Sequence, residues 1–233
     1  MQFVYPSLWL KHRRTRRAFI DYPLYDVPHK APEKTLSEAQ IQENYAYFDA
    51  VRGERLSFFR DWLDQNFKVR ASIDGNGLLA ANTWVNEYGG ALIKDLMPAT
   101  FAFSSYDPRW EGDLAGLNVI VDLAIFIGEY LIFRRPQLHW GLYRGPKAGS
   151  GEKSGSNMYR PYIRGFTRFW DEDALQTAFA AVRQSHNSSF IGHDPGVSSP
   201  RFMIRSCQEC LVLANIPEGN DPIIFGDCSN EPL

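Results

Sequence analysis

The sequence predicts an α+β fold in which a central buried helix packs on a short antiparallel sheet, with further amphipathic helices around it. Three observations carry this reading. The stretch 116–140 is the most apolar part of the chain and is long enough for a helix followed by a strand. Segments with helix caps and apolar residues at helical spacing lie on both sides of it. Two short runs, 137–143 and 157–166, have strand composition and are joined by a Gly- and Ser-rich connection. With 233 residues, 44% apolar and 22% charged, the chain can bury a sizeable core and has ordinary globular composition.

Residues 1–34 read as a basic, proline-containing arm, and 35–233 as a single α+β domain whose last part, 186–233, is irregular and cysteine-bearing. Pro6, Pro23, Pro28 and Pro32 are spaced too closely for a long helix in the arm. Lys11, Arg13, Arg14, Arg16 and Arg17 place five positive charges in seven positions; with those five set aside, the net charge of −2 becomes −7. The arm is therefore basic and the body acidic. Beside Trp9, Phe19 and Tyr22, this run either grips an anionic surface (nucleic acid, membrane or acidic protein) or is a solvated arm folded back on the body.

Ser37 and Gln40 form a capping box, with Leu36 and Ile41 as its hydrophobic staple. Ile41, Tyr45, Phe48, Leu56, Phe59 and Leu63 continue the helical pattern, as one helix or as two broken near Gly53. Asp74 to Gly77 is a turn that lacks the later ligands of a calcium loop. A helix over 78–88 is expected to stop at Gly89-Gly90, and 100–104 (TFAFS) alternates as a strand would.

The central helix should end near Phe133, where Arg134 and Arg135 suit its negative end and Pro136 blocks continuation. The connection RGPKAGSGEKSGS lacks the GxxxxGK[ST] order of a phosphate-binding loop. Asp171 is placed to cap another helix, with Trp170 and Leu175 as staple and Leu175, Phe179 and Val182 inward. Short strands are expected at 202–204 and 211–213.

Candidate chemistry centres on Asp122 and Glu129. Seven residues apart, they lie on one side of a helix, about 10 Å from each other along the axis. With His139 nearby in sequence they suggest the acids of a metal-dependent hydrolase, but one ion cannot be held by both on a regular helix. The alternative is structural: each acid is satisfied by an Arg, by a Trp or Tyr hydrogen, or by backbone N–H groups, with Arg134, Arg135, Arg160 and Arg164 as counter-ions. Asp122, Glu129 and Asn118 also argue that 116–133, though near membrane-span length, is a buried helix. Cys207-x-x-Cys210 is the one metal-like spacing, and completing a zinc site would require Cys228, His186 or His193. No GxSxG, HExxH or dinucleotide fingerprint occurs.

The string VDLAIFIGEYLI at 121–132, then R-x-P-x-L-x-W at 134–140 and RPYIxGF at 160–166, resembles a pattern in uncharacterised bacterial α+β domains, some of them toxin-immunity proteins. The resemblance spans residues 77–170 and implies no catalytic residues. The resulting expectation is a cytoplasmic, non-catalytic binding protein without a cofactor, whose acidic body blocks a basic protein partner. A hydrolase built on Asp122, Glu129 and His139 is one alternative, and nucleic-acid binding through residues 11–17 is another.

Overall fold

A computed structural model describes residues 6–143, 159–166, 171–190 and 200–215. It is mostly helical, with one two-stranded antiparallel sheet. The helices are α1 (Pro6–Ala18), α2 (Glu38–Phe67), α3 (Gly75–Tyr88), α4 (Leu96–Ser104), α5 (Gly116–Arg134), α6 (Ala174–Phe190) and α7 (Phe202–Leu213). The strands are β1 (His139–Leu142) and β2 (Pro161–Arg164), both shorter than expected, in a register that sets His139 against Arg164 and Leu142 against Pro161.

The expected central helix is present and sits at the middle of the core. From Gly116 to Gly128 every residue of α5 is buried, because this stretch presents apolar side chains on all sides and is surrounded by α2, α6, α7 and the 3-10 turn Gly89–Leu92. Among the described residues one helical stretch, Gly112–Arg134, is long and apolar enough to cross a membrane, and 83% of its apolar window is buried inside the fold. The sheet rests on α5 at Gly128. A Cβ there would come 2.6 Å from Cη2 of Trp140 on β1 and 2.8 Å from Cδ1 of Ile163 on β2, so only glycine allows the strands this close.

The capping box is formed: the Ser37 hydroxyl accepts from the Gln40 N–H, and the Ser37 N–H donates to Gln40 Oε1. Gly53 does not break α2, which runs for 30 residues; its added Cβ would meet nothing, so this glycine makes no close approach. Asp74 caps α3 directly, its carboxylate accepting from the Gly77 N–H, so the expected turn is already the first turn of the helix. Gly89 keeps a right-handed conformation, and the chain tightens into the Gly89–Leu92 turn instead of stopping there.

Several expectations are corrected. Residues 100–104 belong to α4, not to a strand: Asp95 caps the helix, and Ala99 and Phe103, four apart, are its buried pair. The run was too short for alternation to exclude a helix. Asp173, not Asp171, caps α6 by accepting from the Gln176 N–H. Leu175, Phe179 and Val182 are inward as expected, and α6 continues past Ser185 to Phe190. The two strands expected at 202–204 and 211–213 are the two ends of α7, whose buried Met203, Ile204, Cys207, Cys210 and Leu211 follow helical spacing. The arm is not free of helix: Pro6 opens α1, and sixteen residues separate it from Pro23. Tyr22, Tyr25 and Val27 then join the core. The glycine-rich connection at 144–158, Trp170, His193 and Cys228 lie outside the described residues.

Candidate functional site

The two central acids are both paired, though not by the expected arginines. Asp122 is completely buried and receives three donors: Arg55 Nε at 2.6 Å, Arg55 Nη2 at 3.0 Å and the Tyr22 hydroxyl at 2.7 Å. Arg55 also donates to the carbonyls of Leu24 (2.9 Å) and Pro23 (3.3 Å), so the same side chain fastens the segment after α1 onto α5. One turn earlier in α5, Asn118 accepts from the Tyr25 N–H at 2.7 Å and adds a second fastening. Burial pushes the Asp122 carboxyl up to about 6, against the opposing pull of Arg55 and Tyr22.

Glu129 is half-buried. Its Oε1 accepts from the Trp140 indole N–H at 2.9 Å and lies 3.3 Å from Arg52 Nε. Arg52 and Arg55 meet Glu129 and Asp122 in reversed order, as an antiparallel crossing of α2 over α5 requires. The expected counter-ions are engaged elsewhere. Arg134 donates to the Tyr130 hydroxyl, Arg135 to the Arg134 carbonyl, Arg160 to Glu33, and Arg164 pairs with Asp171. They fail as partners for a positional reason: the acids turn toward α2, and nothing within α5 or the strands announces which neighbour faces them.

His139 is exposed, and its Nδ1 lies 3.3 Å from the Gln137 carbonyl oxygen. Cys207 and Cys210 lie buried on α7, where desolvation pushes both thiols well up from their ordinary value. His186 Nδ1 lies 3.1 Å from the Gly90 carbonyl oxygen. Among the described residues no group of three or more His, Cys, Asp or Glu side chains is placed to hold a metal ion.

A second buried ion pair went unseen in the sequence. Arg160, fully buried, donates to Glu33 at 2.8 Å and to the carbonyls of Phe103 and Ser104 at the end of α4, with Tyr106 stacked 4.8 Å from the guanidinium. Burial raises the Glu33 carboxyl to about 7 despite Arg160 beside it.

The basic run forms the outward side of α1. Arg13, Arg14 and Arg17, with Leu10, Ala18 and Asn66, line an open groove of about 450 Å³. Residues 10, 13, 14 and 17 fall on one helix face by their spacing. Arg14 is braced: it donates to the Asn66 carbonyl and lies over the rings of Phe67 (5.3 Å) and Tyr88 (5.9 Å). Arg13 lies over Trp9 at 5.3 Å. Lys11 leaves the group to pair with Glu87 at 3.3 Å. Arg16 is half-buried on the side of His12, whose pKa falls to about 4 through burial and then through Arg16 and His186. The five basic residues therefore split: Arg13, Arg14 and Arg17 converge on one groove, Lys11 is paired at the surface with Glu87, and Arg16 is half-buried.

Comparison with protein-family models, with curated proteins and with solved structures finds no match to this chain.

Proposed function

We propose that the chain folds as a single domain and acts as a non-catalytic binding protein, with the outward face of α1 as its contact for an anionic partner. The observation that carries this reading is the groove of Arg13, Arg14 and Arg17, three guanidinium groups with no carboxylate among the lining residues. Arginine and tryptophan side chains at a protein surface are the types that dominate binding energy when covered. The core that runs from Tyr22 to Ala214 supports the single domain. The pairing of Asp122 and Glu129 with α2 supports a structural role for both acids, in place of the hydrolase reading. The toxin-immunity reading, in which the acidic body blocks a basic protein partner, would use a different surface and rests on the sequence resemblance.

The test is retention of the whole chain on a sulfated polysaccharide matrix under a salt gradient. Wild type should be held and released by salt, and the Arg13→Gln/Arg17→Gln variant should elute markedly earlier. Equal elution of the two proteins, with unchanged circular dichroism, would overturn the reading.

A further inference from the structure

On the reading that the outward face of α1 is a contact surface, we infer that it docks on an anionic phospholipid surface, with lipid phosphates in the arginine groove and apolar side chains in the interface. Two large apolar side chains of α1 stand exposed beside its arginines. Among the described side chains of α1 the fully buried ones are polar, His12 and Thr15, and Ala18 packs partly buried against the core, whereas Trp9 and Leu10 are 46% and 62% exposed. Ile20, in the turn that follows Arg17, is 73% exposed. Of the nine exposed large apolar side chains among the described residues, four (Trp9, Leu10, Ile20 and Leu24) lie within residues 9–24, the same stretch that holds the three converging arginines. Exposed apolar side chains in company with cations, on a helix without an acid of its own, form a patch suited to being covered.

The chemistry of the patch selects the cover. Arginine forks match phosphate oxygens, their stems are apolar enough to lie at a lipid boundary, and tryptophan favours that boundary because one edge is polar and the rest is not. Leu10 and Ile20 discriminate against nucleic acid, which offers bases for stacking but little to aliphatic tips. Each is suited to the acyl boundary beneath an anionic headgroup layer. The acidic remainder of the chain, at −7, would be repelled by the same surface, so contact is confined to α1 and is oriented.

The experiment is co-sedimentation of the full chain with phosphatidylcholine vesicles and with vesicles containing phosphatidylglycerol, at low and high salt. Wild type should sediment with the anionic vesicles only, and less at high salt. Arg13→Gln/Arg17→Gln should weaken binding about thirty-fold, from roughly a five-fold loss per cation at an anionic surface. Leu10→Ser/Ile20→Ser should weaken it at least about ten-fold, from the transfer of two aliphatic side chains, and Ile20→Ser alone, outside the groove lining, should weaken it at least about three-fold while leaving retention on the sulfated matrix unchanged. All four side chains are exposed, so unchanged melting curves establish that the variants fold. Equal binding to neutral vesicles, indifference to either variant, or no sedimentation at all would overturn the inference. If vesicles fail while the sulfated matrix, an oligonucleotide or an acidic protein still binds through Arg13 and Arg17, the lipid inference falls and the anionic-partner reading stands.

Discussion

Asp122 shows what a single residue does in this core. A carboxylate without solvent exposure is tolerated because three donors converge on it, yet its raised pKa means that desolvation still exceeds the stabilisation from pairing. Arg55→Met should therefore cost about 3–5 kcal/mol in urea unfolding, because it strands the acid. The double variant Arg55→Met/Asp122→Leu should recover most of that loss, and failure to recover would show that the carbonyls of Pro23 and Leu24 depend on Arg55 more than Asp122 does. The pH dependence has a definite sign. The folded carboxyl holds its proton up to about 6 and the unfolded one only to its ordinary 3.8, so folding takes up a proton between these values. This residue's contribution to stability is fullest below that window and falls as pH rises through it. The stability difference between wild type and Asp122→Asn, measured by urea unfolding, should decline from pH 4 to pH 6 and be flat above.

At the scale of elements, the contact between α5 and the sheet depends on the absence of a side chain. Gly128→Val would drive methyl groups into Trp140 and Ile163, at an overpacking cost of about 1–3 kcal/mol. It should also break the bond from the Trp140 indole to Glu129, seen as a shift in tryptophan emission with far-ultraviolet circular dichroism largely kept. The Trp140 partner lay within the strand expected at 137–143. The pairing of both acids with Arg52 and Arg55 was not legible. α2 carries Arg52, Arg55 and Arg60 around its circumference, and which of them faces α5 depends on how the two helices cross. Helix α7 was missed for a different reason. Its buried residues keep helical spacing throughout, but the two apolar ends were read separately from the polar Arg205, Ser206, Gln208 and Glu209 between them.

Over the whole molecule, burial is uneven. The middle of α5 is enclosed on all sides, while α1 is attached through the Trp62 indole on the Ala18 carbonyl, Arg14 on the Asn66 carbonyl and its contacts with the Gly89–Leu92 turn. Amide exchange should reflect this difference. The α5 amides from Val119 to Ile127 should open only with global unfolding, and those of α1 at lower free energy. Equal protection of the two helices would contradict it. Charge is distributed just as unevenly, with the convergent arginines at one edge of a chain whose remaining charge is negative.

The sequence by itself determined the central helix and its limits, the capping box of α2, the inward face of α6 and the concentration of positive charge at 11–17. All of these follow from local rules: apolar periodicity, caps, a proline stop and the count of charges. Only the tertiary structure decided that Asp122 answers to Arg55 and Tyr22, that Glu33 meets Arg160, and that Arg13, Arg14 and Arg17 converge while Lys11 pairs with Glu87 at the surface and Arg16 is half-buried. Those pairings join residues far apart in the chain, and the packing of helix on helix selects them; no local pattern encodes which distant side chain will fill the place opposite a buried charge.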